Sequence, residues 1–289
     1  MGGGELNKVV ERTELVPNVH KMVIEAPWLA KKARPGQFLI VMADEKGERI
    51  PISIGDWDEE AGTVTIFFLE AGVSTMKLAQ KKAGDDLFAV VGPLGHPAKI
   101  ARYGTVLLGG GCYGIGGITS IAKAMKAAGN KVIVVIEARS KYLLYNKEVL
   151  RNIADEYLET TSDGSSGVRG KVQDVVQFIT NQQKVDLAYF IGCTFMMMNC
   201  SNATKGRHLK TMVSLNALML DGTGMCGVCR VSVGGHTKFA CVDGPEFDGH
   251  QVDWLQMIQR KSMYLQEEML AYQYHTCRAL AKRAQEEGG

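Results

Sequence analysis

The chain has 289 residues, with 33 Lys or Arg and 31 Asp or Glu, which gives a formal net charge of +2 at pH 7. This length is enough for two domains with their own cores and a further segment, and so small a charge argues against nucleic-acid binding. The apolar runs are too short to cross a bilayer, and the N-terminal residues lack the apolar core of a signal peptide. The seven cysteines, without a secretory context, predict reduced thiols and metal ligands in a cytoplasmic protein.

Residues 1–100 are predicted to form an antiparallel β-barrel. Six short runs rich in β-branched and aromatic residues follow one another between Asn7 and Lys99, and turns containing Pro, Gly or Asp separate them. One helical interval is expected near Ser74–Lys82. Six strands at such close spacing favour a small barrel. The six runs read KVVERTELV, HKMVIEA, QFLIVMA, ISIGDW, TVTIFFLE and DLFAVVG.

Two segments of this barrel have side chains that suit a phosphate-containing ligand. Arg49 ends one loop before the run Pro51–Ser53, and an Arg side chain can pair with a diphosphate. Glu70–Thr75 opens the helical interval, and its Gly-Val-Ser-Thr turn offers N–H and hydroxyl donors at a helix N-terminus. By themselves, an arginine at a loop edge and a capped helix are ordinary features.

Residues 101–205 are predicted to form a doubly wound α/β domain with a parallel sheet. Buried strands alternate with helices along this region, and such alternation is typical of parallel sheets covered by helices. The predicted strands are TVLLGG, KVIVVIEA and DLAYFIG. The predicted helices are IGGITSIAKAMKAAG, KEVLRNIADEY and KVQDVVQFIT.

A glycine motif after the first of these strands predicts a dinucleotide site. Gly109, Gly111 and Gly114 satisfy G-x-G-x-x-G between a strand and a helix, where backbone N–H groups and the helix dipole can meet a pyrophosphate. A tight turn without a ligand is the alternative. The candidate nucleotide contacts in this turn are Gly110, Gly111, Gly114 and Ile115.

Residues at the ends of the later strands are further nucleotide candidates. Glu137 stands where a carboxylate can accept a hydrogen bond from a ribose 2′-hydroxyl, which favours NAD, whereas Arg139 could meet the 2′-phosphate of NADP. An exposed charge pair that caps the strand is the alternative. Turns at 161–167 and 191–198 fall at the same edge of the sheet, and the Met196–Met198 run in the second is interpreted as core packing. The remaining candidates are Ser140, Asp163, Cys193 and Thr194, the last two beside the nicotinamide.

The most informative motif lies in residues 206–250, a segment rich in Gly and Cys. One aspartate and three cysteines form the pattern D-x4-C-x2-C-x11-C, and a Cys-x2-Cys pair on a glycine loop points both thiolates inward. This set predicts a [2Fe–2S] cluster with one oxygen ligand. Structural zinc is the alternative, with His236 or His250 as the fourth ligand. The candidate metal ligands are Asp221, Cys226, Cys229 and Cys241.

The order of these motifs resembles that of the ferredoxin reductase superfamily over about residues 7–250. The shared features are R-x-P-x-S at Arg49–Ser53, G-x-S-T at Gly72–Thr75, a nucleotide domain opened by three glycines and a Cys-rich tail. Within this superfamily, the chain resembles the electron-transfer subunits of dihydroorotate dehydrogenase. Asp221 stands where those subunits have cysteine. With the residues around it, Ser214–Val231, it resembles the small subunits of NADH-dependent ferredoxin:NADP⁺ oxidoreductases, an electron-bifurcating group also called sulfide dehydrogenases.

The resemblance implies three cofactors. FAD would lie on the barrel, a nicotinamide nucleotide on the α/β domain and a [2Fe–2S] cluster in the 206–250 segment, and a hydride would pass between the nicotinamide C4 and the flavin N5. Ser53, near N5, and Arg49, which holds the FAD, would be the catalytic positions. The residues implied in FAD binding are Arg49, Pro51, Ile52, Ser53, Leu69, Gly72, Ser74 and Thr75.

The resemblance also implies a partner protein. Members of this group act with a larger subunit that holds a second FAD, two [4Fe–4S] clusters and the NADP(H) site, and ferredoxin exchanges electrons with that subunit. One electron from NADPH would go to ferredoxin and the other through this chain to NAD⁺. Two further hypotheses stay open, an electron-transfer subunit for dihydroorotate oxidation and a zinc-stapled, non-catalytic module that senses NAD.

Residues 251–289 are predicted to form a C-terminal helix, from about Val252 to Glu287. Its apolar residues recur at steps of three and four, so it could either dock the larger subunit or cover its own cluster domain. His275 and Cys277 on this helix are interpreted as packing or surface residues. The apolar positions are Trp254, Met257, Met263, Leu265, Met269 and Tyr272.

Overall fold

A computed structural model describes residues 7–275, and its N-terminal part is a nearly closed barrel of seven antiparallel strands. The strands are β1 Asn7–Val16, β2 Val19–Glu25, β3 Phe38–Met42, β4 Ile50–Asp58, β5 Thr63–Leu69, β6 Asp86–Leu87 and β7 Ala89–Leu94. Two short helices, α1 Pro27–Ala30 and α2 Val73–Ala79, join them. The strand order is β6-β1-β2-β5-β4-β3-β7. The predicted barrel and its helical interval are confirmed.

The middle of the chain forms a second seven-stranded sheet. Its strands include β8 Thr105–Gly111, β9 Lys131–Ala138, β10 Glu156–Thr161, β11 Val168–Arg169, β12 Leu187–Ile191 and β13 Lys210–Ser214. The helices are α3 Gly114–Ala127, α4 Lys147–Ile153, α5 Val172–Gln182 and α6 Thr194–Lys205, with a 3₁₀ turn at Lys141–Leu143. These six strands pair in parallel in the order β11-β10-β9-β8-β12-β13.

Helices cover both faces of this sheet, which confirms the predicted doubly wound arrangement. Ile118 and Ile121 of α3 and Leu150 of α4 lie in the apolar cluster on one face. Val176 of α5 and Met197 of α6 lie in the cluster on the other face. Because each strand is buried on both sides, its sequence is a nearly continuous apolar run.

One predicted helix is wrong in its second half. The segment KEVLRNIADEY was expected to be helical throughout, but α4 ends at Ile153 and β10 begins at Glu156. Ala154 is already extended, with φ −75° and ψ 146°. Asp155 then donates its N–H to the carbonyl of Val132 and accepts the N–H of Val132 on its carboxylate, both at 2.8 Å. These bonds fix the chain to the start of β9, and β-pairing overrides the local helical preference.

Both ends of the predicted cluster segment, 206–250, belong to strands of the α/β sheet. The first end contributes β13, and the last contributes β16 Glu246–Asp248, which pairs antiparallel with β13. Between them lies a small hairpin of β14 Arg230–Val233 and β15 His236–Phe239. None of these four strands was predicted. Strands β14, β15 and β16 have only three or four residues each and lie among glycines.

The C-terminal helix is interrupted. Helix α7 runs from Trp254 to Lys261, the chain turns at 262–264, and helical backbone resumes over 265–275. Residues 276–289, with Cys277, lie outside the described part. Each helix within 7–275 falls short of the length and apolar content that a bilayer-spanning segment needs.

Helix α3 packs against the barrel at a glycine. The Cα of Gly116 lies so close to the ring of Phe67 on β5 that a Cβ there would collide with it. Ser120 on the same helix donates its hydroxyl to the carbonyl of Ile54 on β4 at 3.2 Å, and Lys123 pairs with Asp56 at 2.5 Å. These contacts fix the orientation of the α/β sheet relative to the barrel.

Glu246 on β16 lies where the barrel, the α/β sheet and the C-terminal segment meet. Its carboxyl group accepts a hydrogen bond from the buried hydroxyl of Tyr189 on β12, and a Cβ at Gly36 of the barrel would collide with it. Burial raises the pKa of Glu246 to about 7, although the bond from Tyr189 acts to lower it. The group is therefore neutral over the mildly acidic range.

Replacing Glu246 with Gln should change how stability depends on pH. The folded protein holds a proton on Glu246 that the unfolded chain loses above its usual pKa of 4.5. The resulting stabilisation is complete below that value and is lost as the pH rises through about 7. Between pH 4.5 and about pH 7, we expect the free energy of unfolding of the unsubstituted chain to fall by roughly 3 kcal/mol relative to that of the Glu246→Gln variant, which has no carboxyl group to titrate there. Urea denaturation at several pH values measures this difference, and a pH-independent difference would contradict it.

Candidate functional site

The loop that carries the predicted metal ligands is wound by glycines. Gly222, Gly224 and Gly227 have φ values of +76°, +86° and +64°, in the left-handed region that residues with a Cβ rarely adopt. Successive turns of this kind point backbone N–H groups into the loop. The loop is therefore shaped to hold a negatively charged group.

The carboxylate of Asp221 lies at the centre of the loop. It accepts hydrogen bonds from the N–H groups of Thr223 at 3.1 Å and of Met225 and Cys226 at 2.9 Å. Burial acts to raise the pKa of Asp221, but these bonds outweigh it and lower the pKa to about 2. Asp221 is therefore an ionised oxygen donor at neutral pH, as a metal ligand must be.

The four predicted ligands lie in two pairs. The Sγ of Cys226 is 3.4 Å from Oδ1 of Asp221, and the Sγ atoms of Cys229 and Cys241 are 3.2 Å apart. Two ligands of one tetrahedral ion with bonds of about 2.3 Å would be separated by about 3.7 Å. Within residues 7–275, no three His, Cys, Asp or Glu side chains converge on one point, as they would around a single zinc. The paired arrangement fits a cluster of two irons, each with two protein ligands.

The two pairs differ in environment. Cys229 and Cys241 are buried, each about 1 % exposed, whereas Cys226 is exposed. Burial, together with the hydrogen bond to Cys229, raises the pKa of the Cys241 thiol well above its usual range. A thiolate at this position therefore needs a nearby cation, and metal binding is the ordinary means of forming one. The donor set thus suits a metal cluster that is buried on one side and accessible on the other.

The two histidines proposed as zinc ligands have other surroundings. His236 is exposed at the start of β15. The ring of His250 contacts the hydroxyl of Thr204 on α6 at 2.9 Å and lies 3.7 Å from the carboxylate of Asp248. The zinc alternative therefore has no support from their positions.

On the barrel, the turn that opens α2 is tied to the loop containing Arg49. Ser74 donates its hydroxyl to the carboxylate of Glu48 at 2.9 Å. The hydroxyl of Thr75 accepts the N–H of Gly72 at 3.1 Å and donates to the carbonyl of Gly72 at 2.9 Å, so it caps the helix. Gly72 itself faces open space, since a Cβ there would meet no atom within 4 Å. This arrangement leaves room for a ligand over Gly72, beside the exposed Arg49.

The next candidates lie on strands β4 and β5. Ser53 and Pro51 alternate with Ile52 and Ile54, which are buried in the barrel core, so Ser53 and Pro51 point to the outer face. Ile52 can therefore offer a ligand only its backbone. Leu69, at the end of β5, is partly buried against the apolar cluster of α3 and α4.

The glycines of the nucleotide motif are packed against protein atoms. A Cβ at Gly111 would lie 2.6 Å from the sulfur of Met196, and one at Gly114 would collide with the carbonyl of Ile191. The N–H of Gly116 already bonds to the hydroxyl of Tyr145 at 2.9 Å. Gly109, Gly110 and Ile115 are buried. Close packing of α3 on the sheet is the third role of glycine in this motif, and pyrophosphate contact at this turn stays a prediction.

Glu137 is directed to a protein partner. Its carboxylate accepts the N–H of Val172 at 2.7 Å, at the start of α5, and lies 3.3 Å from the ammonium of Lys171. Glu137 therefore caps helix α5, a role that neither the ribose interpretation nor the strand-capping alternative anticipated. Its contact with a ribose stays a prediction.

The ends of β9 and β10 place Arg139, Ser140 and Asp163 next to one another. The carboxylate of Asp163 accepts the hydroxyl and N–H of Ser165 at 2.6 and 2.9 Å, and Ser165 contacts the hydroxyl of Ser140 at 3.2 Å. The N–H of Asp163 also bonds to the carbonyl of Arg139 at 3.2 Å. Bonds from Ser165 lower the pKa of Asp163 to about 2. An exposed, ionised carboxylate at this edge can accept a bond from a ribose hydroxyl.

At the end of β12, a hydrogen-bonded network includes residues that the sequence did not identify. Tyr113 donates its hydroxyl to the carbonyl of Gly192 at 2.9 Å and accepts from the amide of Asn216 at 2.6 Å. The hydroxyl of Thr194 donates to the side-chain oxygen Oδ1 of Asn216 at 3.0 Å. Cys193, next to it, is exposed. Asn216 lies two residues after β13, on the connection that leads to Asp221. The network therefore joins the carboxyl end of β12 to the loop that carries the metal ligands, here called the metal loop, and no local pattern marks such a distant pair.

Comparison with known proteins gives a consistent result. Residues 216–253 match a family model described as the iron-sulfur cluster binding domain of dihydroorotate dehydrogenase B. The chain is 42% identical to a Thermotoga maritima dihydroorotate dehydrogenase B (NAD(+)) electron transfer subunit homolog over 94% of this chain and 96% of that protein. It is 30% identical to the Bacillus cereus electron transfer subunit of that enzyme, over 83% of this chain and 94% of the relative.

Among solved structures, the chain is similar over nearly its whole length to one chain of an enzyme structure that was described for its insights into flavin-based electron bifurcation. That structure is of an NADH-dependent reduced ferredoxin-NADP oxidoreductase, and one of its chains has 42% identity and a TM-score of 0.90, with 96% of this chain and 100% of that chain covered. The cytochrome P450 reductase GcoB of Amycolatopsis is 18% identical with a TM-score of 0.61, over 71% and 66% of the two chains. This second similarity concerns the fold alone.

Replacing Gly72 with Ala tests whether a flavin lies over the α2 turn. The backbone at Gly72 is extended, with φ −165°, so an Ala is tolerated, and we expect the free energy of unfolding to change by less than about 0.5 kcal/mol. A ligand packed on Gly72 would clash with the new methyl group and bind about tenfold or more weakly, since overpacking costs about 1–3 kcal/mol. Fluorescence titration of FAD into cofactor-free protein measures the effect.

The matched control for this substitution is Gly206→Ala. Gly206 follows α6, has φ −81°, and a Cβ there would also meet no atom within 4 Å. It should bind FAD like the unsubstituted chain. Equal FAD affinity of the two variants would remove Gly72 from the flavin site.

Proposed function

The chain belongs to the family of dihydroorotate dehydrogenase B electron-transfer subunits and their homologues, and from this membership we propose that it is the electron-transfer subunit of an NADH-dependent reduced ferredoxin:NADP⁺ oxidoreductase. In this role it passes electrons between NAD(H), FAD and a [2Fe–2S] cluster. The protein is a subunit of a flavin-dependent oxidoreductase. All six cysteines in the described part are free thiols, which suits a reducing compartment such as the cytoplasm.

The observation that carries the proposal is the pairing of the four metal ligands in a loop seated on the barrel. Asp221 lies beside Cys226, and Cys229 beside Cys241. Gly222, next to Asp221, contacts Ile40 of β3. A metal loop that touches a flavin-type barrel brings two redox groups into one molecule, as an electron-transfer subunit requires.

Each cofactor has a proposed set of residues. The [2Fe–2S] cluster is held by Asp221 and Cys226 on one iron and by Cys229 and Cys241 on the other. The outer face of the barrel would hold FAD, with Ser53 facing the flavin ring and with Arg49 and the Gly72–Thr75 turn binding the diphosphate. NAD(H) lies at the carboxyl edge of the sheet, between Asp163 and Cys193.

The chain contributes position and electrostatics to this chemistry. When bound, FAD exchanges a hydride with the nicotinamide and single electrons with an iron–sulfur centre. The positive charge of Arg49 offsets the diphosphate, and the Ser53 hydroxyl supplies a hydrogen-bonding group on the face where the flavin ring lies. The network of Tyr113, Asn216 and Thr194 holds the end of β12 against the metal loop, which keeps the nicotinamide edge at a fixed position.

The partner in this proposal is a larger subunit that carries a second FAD, two [4Fe–4S] clusters and the NADP(H) site and that reacts with ferredoxin. Exposed apolar side chains surround the accessible edge of the metal loop, with Met225 89% and Leu220 49% exposed. The helical segment 265–275 also exposes Leu265 and Met269. Trp254 is buried in the chain's own core, so the C-terminal region covers the chain with α7 and leaves its later part for the partner.

A second candidate is the electron-transfer subunit of a dihydroorotate dehydrogenase. The match of residues 216–253 to the iron–sulfur domain of that enzyme favours it. Asp221 stands where those subunits are expected to have cysteine, which favours the first candidate.

The deciding experiment is cofactor analysis of the anaerobically purified chain, followed by assay with its partner. We expect about two irons, two sulfides and one FAD per chain, with no zinc, by elemental analysis and by visible and EPR spectra. One zinc and no flavin would overturn the proposal. In the complex, reduction of ferredoxin by NADPH that depends on NAD⁺ supports the first candidate, and oxidation of dihydroorotate supports the second.

Replacing Asp221 with Cys tests its role as a ligand. A soft thiolate would replace a hard carboxylate of equal charge, so the protein should keep two irons while its visible spectrum, EPR spectrum and reduction potential change. The control is Thr237→Cys, which adds a thiol at an exposed position of β15 in the same segment. If Asp221→Cys has the spectrum and potential of the control, Asp221 is not a ligand.

A further inference from the structure

The outer face of β3 separates the proposed flavin site from the metal loop. Leu39 and Val41 of β3 point into the barrel core, whereas Phe38 and Ile40 belong to the apolar cluster that contains Cys229 and Cys241. On the neighbouring strand, Pro51 pairs with Ile40 and Ser53 with Phe38. Directly paired residues share a face of the sheet, so the two residues placed against the flavin are adjacent to those that pack under the metal loop.

The metal loop lies against the outer face of the barrel at Gly222. A Cβ at Gly222 would lie 2.6 Å from Cδ1 of Leu94 and 3.1 Å from Cγ1 of Ile40. Leu94 is on β7, where it pairs with Phe38 of β3. Gly222 is buried, and its φ is +76°. Only a residue without a side chain can therefore bring the backbone beside Asp221 into contact with the barrel.

We propose that Gly222 is a positioning residue that sets the distance between the cluster and the flavin. The inference rests on the proposed function, because it requires both cofactors at the sites given above. Asp221, the neighbour of Gly222, is a ligand in that assignment, so a shift of Gly222 moves the cluster relative to the barrel. Electron tunnelling between two centres falls exponentially with their separation, and a small displacement therefore slows the transfer.

The test is Gly222→Ala in the full-length chain loaded with FAD and cluster. The new methyl group must push the loop away from Leu94 and Ile40. After mixing with NADH, the cluster is reduced through the flavin, and stopped-flow absorbance measures the rate of this reduction. We expect that rate to fall several-fold in the variant. Pulsed EPR should show weaker magnetic coupling between the one-electron-reduced flavin and the reduced cluster. Iron, sulfide and FAD contents should be unchanged.

The matched control is Gly235→Ala in the β14–β15 turn. Gly235 has φ +77°, almost the same as Gly222, but a Cβ there would meet no atom within 4 Å. It therefore carries the same backbone strain without the contact. A rate and a coupling in Gly222→Ala equal to those of Gly235→Ala would overturn the inference.

Two substitutions at Leu94 separate positioning from simple damage to the loop. In the double variant Gly222→Ala with Leu94→Ala, the removed side chain makes room for the methyl group, and both the rate and the coupling should recover in part. Leu94→Phe pushes on the loop from the barrel side and leaves the loop sequence intact. It should slow the transfer like Gly222→Ala, and it decides the question if Gly222→Ala does not take up the cluster.

Failure of the inference is distinguishable from failure of the proposed function. An unsubstituted chain without FAD or iron overturns both. An unsubstituted chain that holds both cofactors, with Leu94→Phe and Gly222→Ala transferring electrons at the control rate, overturns the inference alone.

Discussion

The pairing of β13 with β16 is the constraint on which the metal site depends. These two strands are neighbours in the α/β sheet but are separated in sequence by the whole metal loop and its hairpin. Their hydrogen bonds hold the two ends of this segment together. Closing a long loop costs entropy, and the pairing at the sheet edge must offset that cost. The closed segment places its buried cysteines in the apolar cluster that also contains Phe38 and Ile40 of β3, and Pro245 and Gly244 pack against Gly95 of the barrel.

Close backbone approach at glycine recurs at each junction of the molecule. Gly114 lets α3 approach β12, Gly116 lets it approach Phe67 of the barrel, and Gly222 lets the metal loop reach Leu94. At Gly116 and Gly222 a methyl group would separate parts that carry different cofactors in the proposed function, and at Gly114 it would separate α3 from the sheet that it covers. Gly72 is the opposite case, because it faces open space. Glycine thus serves close packing at three positions, and in the proposed function it gives a ligand access at the fourth.

Much of the fold was predictable because its signals are local. Short runs of β-branched and aromatic residues between turns identified the barrel strands, and the buried runs TVLLGG and KVIVVIEA identified β8 and β9. The signal failed where pairing with a distant strand overrides local preference, as at β10, where Asp155 bonds to Val132. It also failed at β16, which has only three residues and is too short for a periodic pattern. The spacing of Asp221 and the cysteines was sufficient to identify the metal loop, because ligands on one loop are close in sequence as well as in space.

The sequence by itself determined the fold class, a candidate ligand set and the family resemblance, since each depends on residue type and spacing along the chain. Only the tertiary structure decided how the candidates are used. It directed Glu137 to the N-terminus of α5, buried Ile52 in the barrel and joined Tyr113 to Asn216 across the sheet edge. It also placed the metal loop on β3. These outcomes depend on contacts between residues far apart in the chain, which no local pattern records.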